Sequence, residues 1–270
     1  MMKKSFIRTS VLWAVFLVVA VPSGFCNGDM DGVSGAPTEE VSLEAVFDSG
    51  HWVTRPSGSV ITVFGVAGRR GNREEGVQAA LLDAARKAAL YHGVHAESAS
   101  VLNQGSGALD YFSDFDSRLE LRRNPEEFLD ALVFDRERDV LEKNGVVFAR
   151  VRYAGVSNVP PYASALADGV PDWTKNYVVT VPGYLAGIGS SKNKGSLQKT
   201  YEASYENAIA SLLPQLSTRV ASDAVDVDGG RVTRNATLSE GDLAEVMILE
   251  TWFDRKTSAV WTLIAAKMMK

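Results

Sequence analysis

"HWVTRPSGSVITVFGVAGRRGNREEGVQAALLDAARKAAL", residues 51–90, reads as a short strand, a glycine-rich turn and a long helix. Val60 to Val66 supplies the apolar, partly β-branched run. Beyond the turn, Val77, Ala80, Leu81, Ala84, Ala88 and Tyr91 recur at helical spacing and set one apolar stripe.

A second stretch repeats that order. "DWTKNYVVTVPGYLAGIGSSKNKGSLQKTYEASYENAIASLL", residues 172–213, also opens on a tryptophan, Trp173 beside Trp52 of the first. Tyr177 to Val181 is its strand candidate. Leu197, Tyr201, Tyr205, Ala208, Leu212, Leu216 and Val220 give its helical stripe, with Pro214 expected to kink or split the helix near Leu213. Gly65 lies 15 residues before Ala80, and Gly187 lies 16 before Ala203. The correspondence indicates an internal repeat.

Each copy is expected to close with a hairpin. In the second, Glu245 to Phe253 and Ala259 to Ala266 read as strands joined at "DRKT". Aligning the tails places "EKNG" opposite that turn, and Asn144-Gly145 favours a tight hairpin because both residues tolerate positive φ. Leu132 to Leu141 and Val146 to Tyr153 are then the strands of the first copy. The expected fold is α+β: two tandem repeats of a long helix packed on a small antiparallel sheet, plus amphipathic helices inserted in the first repeat.

That insert spans residues 103–131. Leu109, Phe112, Phe115 and Leu119 fall on one helical face, and Asp110, Ser113, Asp114, Asp116 and Ser117 fill much of the rest. Asn124-Pro125-Glu126-Glu127 carries the signals of a helix start: a capping Asn, Pro in the first turn, and acids at the positive dipole end. Phe128, Leu129 and Leu132 form a second short apolar face. Two roles are open for the insert, covering its own sheet or contacting a bilayer. Its polar face is acidic, so insertion would rest on aromatic burial and not on attraction to anionic lipid.

The N-terminus reads as an export signal. Lys3, Lys4 and Arg8 precede an unbroken apolar run, Val11 to Val21, which Pro22, Ser23 and Gly24 end. Its 11 residues fall short of the roughly 20 a spanning helix needs and suit a secretory signal. Cys26, the sole cysteine, follows directly and has no partner for an intramolecular disulfide. It is expected to carry a covalent lipid anchor, although Phe25 is bulkier than the small residue usual before such a cysteine. The organisation expected is signal peptide 1–25, flexible tether 26–44, first repeat domain 45–157, linker 158–172 and second repeat domain 173–270. The formal charge of the whole chain is -5, and the segment removed holds three basic and no acidic residues. An acidic mature chain argues against non-specific nucleic-acid binding.

These features together resemble the spirochaetal outer-membrane lipoproteins of the concealed treponemal type. The residues carrying the resemblance are the signal ending at Cys26, the acidic tether, the doubled helix-on-sheet unit and the segment Leu109 to Leu119. "VITVFGVAG" and "EGVQAALLDAARKAAL" also resemble the repeat of a small lipoprotein superfamily related to a flagellar H-ring assembly protein. The resemblance implies a lipid-anchored protein on the periplasmic side of the outer membrane. It further implies amphipathic helices that enter or perturb one leaflet, altering permeability or binding lipid.

Catalytic and cofactor motifs are not found. "GVAGRRG" lacks the G-x-G start of a dinucleotide loop, "GYLAGIGSSKNKG" has Lys192 where a third Gly belongs, and neither ends in a P-loop G-K-S/T. His92 and His95 have no further metal-ligand motif beside them. "GSG" at Gly105 to Gly107 is not a nucleophile elbow. The sequence therefore points to a non-enzymatic protein with no cofactor or metal. Its partners are membrane lipid, met through Leu109, Phe112, Phe115, Leu119, Phe128, Leu129 and Leu132, or in the alternative an envelope or flagellar protein or a second copy. Mass analysis of the mature N-terminus is expected to find acylated Cys26, and Cys26→Ser to release the protein from membranes. An unmodified mature terminus elsewhere would remove the anchor.

Overall fold

The computed structural model describes residues 41–269 other than 55–59, 106–110, 157, 161, 163, 176–178, 193, 217 and 228–229. Side chains are described for all of these except 100–105, 111–117, 218–227 and 230–237. The first half carries α1 (Leu43–Ser49), β1 (His51–Val53), β2 (Ile61–Gly68), α2 (Arg73–Tyr91), β3 (Val94–Gly105) and β4 (Tyr111–Leu121). A 3-10 helix (Pro125–Ala131), β5 (Leu132–Val133), β6 (Val140–Lys143) and β7 (Val146–Tyr153) follow. Next come β8 (Leu166–Ala167), β9 (Val170–Pro171), β10 (Leu185–Lys192) and α3 (Leu197–Ala210). The chain ends with β11 (Thr218–Val227), β12 (Gly230–Asp254) and β13 (Ala259–Met268). Residues 41–270 form one compact unit.

The expected fold, two helix-on-small-sheet repeats with inserted amphipathic helices, is overturned. Antiparallel sheet dominates. The larger sheet has seven strands in the path β10-β13-β12-β3-β4, with β1 and β11 also paired to β12. The smaller runs β2-β7-β5, with β6 on β7. The insert read as helices is mostly strand, the end of β3 and all of β4, and only its last part is helical, as a 3-10 turn. That turn starts as the sequence indicates. Asn124 Oδ1 accepts from Glu126 N at 3.1 Å, and Glu127 Oε1 accepts from Asn124 N at 3.3 Å.

β12 organises the larger sheet. Its first half, from Gly230 to Leu243, pairs with β11 and β3. Its second half, from Leu243 to Asp254, pairs with β13, and residues 250–252 pair with β1. One continuous strand thus joins a four-stranded ribbon, β4-β3-β12-β11, to the sheet that the helices cover. Near the junction the register against β13 shifts between Ala244 and Met247, and Glu245 has φ 48°. A bulge there bends the strand where its neighbours change.

α2 and α3 each lie very close to a strand. A Cβ on Gly65 of β2 would sit 1.9 Å from the Ala80 carbonyl oxygen of α2. One on Gly189 of β10 would sit 2.1 Å from the Ala208 nitrogen of α3. This explains a second correction. Tyr177 to Val181 was expected as the strand before α3. Tyr177 and Val178 lie outside the described residues, and Val181 makes only an isolated bridge to Tyr184. The strand is β10, inside the stretch read as a turn, because its glycines let the helix backbone approach. α3 stops at Ala210, ahead of Pro214. Leu216 ends a 3-10 turn and Val220 belongs to β11, so neither extends the helix.

The hairpin at Asn144-Gly145 forms, with φ 54° and 73°, joining β6 to β7. The strand expected from Leu132 to Leu141 is interrupted. Only β5 and β6 are extended, and Asp139 caps the turn between them, accepting from Asp135 N at 2.9 Å.

Two apolar cores result. In one, α2 packs on the odd-numbered positions of β2 and β7, together with Met247, Leu249 and Leu263 from the other sheet and Val156 and Trp173 from the intervening segment. In the other, Phe64 and Phe148 from the opposite face of the small sheet meet α1, Trp52, Tyr201 and Ile264. Phe64 and Phe148 stack at 5.4 Å and Trp52 lies 4.7 Å from Phe148. Both cores draw on both halves of the sequence. Gly65→Ala and Gly189→Ala are each expected to destabilise the protein by about 1–3 kcal/mol or more, read from urea unfolding, because the helix must be displaced. Gly145→Ala, where nothing lies within 4 Å, tests positive φ alone and is expected to cost less than either.

Candidate functional site

α2, the end of β4 and α3 enclose a groove of about 310 Å³. The helices are tied across it by the Arg86–Glu202 ion pair. Leu90, Leu119, Leu121 and Pro125 supply apolar wall, while Glu120, Tyr205 and Glu206 bring polar groups. Such a volume lies at the lower end of the range for ligand pockets, about 300–1,000 Å³. Tyr205 is 2 % exposed, and its ring lies 5.9 Å from that of Tyr201. Its hydroxyl has no hydrogen-bond partner among the described residues. Burial, then the charge of Asp83, pushes the Tyr205 hydroxyl well above the ordinary tyrosine range. Burial and then the neighbouring Glu202 carboxylate raise the Glu206 carboxyl, against the opposing pull of Arg86. The groove therefore pairs apolar wall with an acidic end that Arg86 offsets only in part.

Leu119 is the sequence-selected residue that lines this groove, and it is half-buried against the second core. Phe128 and Leu132, expected at a lipid-facing surface, are instead buried in the first core, and Leu129 packs against it. Phe128 stacks on the His92 ring at 4.9 Å, and His92 Nε2 meets the Tyr153 hydroxyl at 2.5 Å. Leu109 lies outside the described residues, as does Cys26. Phe112 and Phe115 are strand residues, at register positions opposite Leu102 and Ser100, while Leu119 stands opposite Ala96. The irregularity beside Val101 inserts one residue into β4, so these three positions share one side of the hairpin despite their uneven spacing. The helical stripe is replaced by a strand face.

Two buried polar nodes went unread in the sequence. Glu250, 2 % exposed in β12, accepts at Oε2 from Trp173 Nε1 (2.7 Å) and Ser164 Oγ (2.8 Å), and meets His51 Nε2 at 2.9 Å. Burial pushes its carboxyl up, but these hydrogen bonds outweigh burial and hold it below the usual carboxylate range. The signal available was an acid inside the apolar run "MILETWF". Lys87 is the second. Its ammonium donates to the Phe64 carbonyl at 2.8 Å, pairs with Asp83, and lies 3.9 Å from the centre of the Tyr201 ring. Burial lowers its pKa, against the pull of Asp83. Both groups are satisfied inside the fold and tie its layers together: Glu250 fixes the segment from Ser164 to Trp173 on the sheet, and Lys87 fixes α2 to β2 and α3.

Among the described residues, no cluster of three His, Cys, Asp or Glu is arranged to hold a metal, and no helix is long and apolar enough to cross a membrane. Comparison with family models, with curated proteins and with solved structures returned no match.

Glu250→Gln is expected to destabilise the protein at neutral pH by about 1–3 kcal/mol, since its donors lose a charged acceptor. The depressed carboxyl contributes stability above its unfolded pKa and loses it as pH falls through the folded value. The gap between wild type and variant in urea unfolding should therefore narrow below the ordinary carboxylate range. A gap constant with pH would contradict the role assigned to the charge.

Proposed function

We propose that this chain is a non-enzymatic envelope protein, exported and held by lipid at Cys26 on the periplasmic side of the outer membrane, which docks an extended segment of another envelope protein. The observation that supports this reading is the four-stranded ribbon built on the first half of β12. Its outer strands, β4 and β11, each pair with a single neighbour among the described residues. An open strand edge offers a row of unpaired backbone donors and acceptors, which an incoming strand completes. Beside it lies the groove, one wall of which is β4 itself.

The polar nodes argue for the same reading. Glu250 and Lys87 are each surrounded by structural partners, which suits support of a rigid body better than turnover. Anchoring through the 14-residue segment from Asn27 to Glu40 would let that body reach a partner in the periplasm.

Direct lipid contact is the second reading, favoured by Phe112, Phe115 and Leu119 sharing one side of the β3–β4 hairpin. The two readings separate experimentally. A photo-cross-linking residue at Asp116 of β4 is expected to give a discrete protein adduct in intact cells, and Ser117→Pro or Arg118→Pro should remove it, since one of these adjacent residues turns its N–H to the open edge. Liposome flotation of the soluble body is expected to be weak. Strong flotation lost in Phe112→Asp with Phe115→Asp, without any protein adduct, would favour lipid contact.

A further inference from the structure

We infer that the groove between α2, α3 and the end of β4 receives a lysine or arginine side chain of an extended partner segment lying along β4. The inference rests on the docking reading and specifies the partner's chemistry.

The place of the groove comes first. Leu119, Glu120 and Leu121 are consecutive strand residues, so they alternate between faces, yet all three line it. It therefore opens around the edge of β4 and not on one face alone. A strand added to that edge would run about 4.8 Å away, within reach of a long side chain turned into the groove.

The chemistry comes next. Arg86 is already engaged by Glu202. Glu206 has no ion-pair or hydrogen-bond partner among the described residues, and the same is true of Glu120. The Tyr205 hydroxyl, on a ring 2 % exposed, is likewise unpartnered at the groove. The oxygen itself reaches solvent at the groove, where a ligand donor can meet it. An anionic or acyl-carboxylate ligand would face Glu120 and Glu206, and would have to compete with Glu202 for the one cation of the lining, Arg86. A cation with an alkyl stem fits both parts: the stem lies on Leu90, Leu119 and Pro125, and the head meets Glu206 and the Tyr205 oxygen. The strand alongside is itself acidic in sequence, with Asp114, Asp116 and Glu120 against Arg118. A partner whose strand alternates apolar and basic residues is complementary to both the edge and the groove.

The test uses the full chain in detergent and a fluorescent nonapeptide, Val-Lys-Val-Arg-Val-Lys-Val-Thr-Val, with the same peptide carrying Glu in place of its basic residues. Anisotropy is read at near-physiological salt, about 0.15 M, to suppress non-specific attraction. Saturable binding of the basic peptide alone is expected. Glu206→Gln and the nearly isosteric Tyr205→Phe should each weaken it at least about fivefold, as for loss of a charge-assisted hydrogen bond, with unfolding midpoints checked alongside. Whichever of Ser117→Pro and Arg118→Pro leaves the unfolding midpoint unchanged, and so marks the N–H on the open edge, should weaken it as well. Binding unchanged by Glu206→Gln and Tyr205→Phe but lost in the proline variant would overturn the inference and leave edge docking standing. Loss in the groove variants with no effect of that proline would instead overturn edge docking. Equal binding of the acidic peptide, or no binding of either, would overturn the basic-partner assignment. So would n-octylamine binding in the groove when the basic peptide does not.

Discussion

The structure depends on β12 remaining one strand over its 25 residues. Its second half is a core strand, with Met247, Leu249 and Glu250 fixed among helices, tryptophans and the segment from Ser164 to Trp173. Its first half is the spine of the ribbon. Break the strand at the Glu245 bulge and two things separate: a helix-covered body, and the strand pairs β3–β4 and β11–β12. Among the described side chains, contacts join ribbon to body at its base. Ala96 is fully buried there, Leu119 and Leu121 pack on the second core, and Gly241 leaves room for Leu216.

Close helix approach is the second constraint. Gly65 beneath Ala80 and Gly189 beneath Ala208 are two instances of one device, a glycine in a strand that accepts the backbone of the helix following it. With the helices so near, a small number of large side chains fill the remaining space, and Trp52, Phe64, Phe148 and Tyr201 form the aromatic centre of one core. Lys87 lies at that centre because its charge is met from every side, by Asp83, by a backbone carbonyl and by the face of Tyr201.

Much of this was legible and part was not, for reasons that can be named. The alanine periodicity marks α2 and the start of α3, Asn144-Gly145 marks its hairpin, and Asn124-Pro125 marks a helical start. The strand pair β3 and β4 is masked by composition, since "VHAESAS" and "YFSDFDSRLEL" are rich in small and charged residues with weak strand preference. Phe112, Phe115 and Leu119 stand three and four apart, which is helical spacing. A single inserted residue in β4 gives a strand the same spacing on one side. β10 is masked by the glycines that fit it to α3. The groove was hidden because Tyr205 reads as one more position of an apolar stripe, and nothing in a stripe tells which ring ends in an unpaired hydroxyl.

Amide hydrogen exchange along residues 230–254 tests the central claim most directly. If β12 is continuous and paired on both edges, protection should extend from the core through the junction and well into Val232 to Leu243, fading only toward the Gly230 end. Protection that stops near Leu243, with the first half exchanging as fast as an unstructured peptide, would contradict a ribbon built on the core strand and the docking edge it presents.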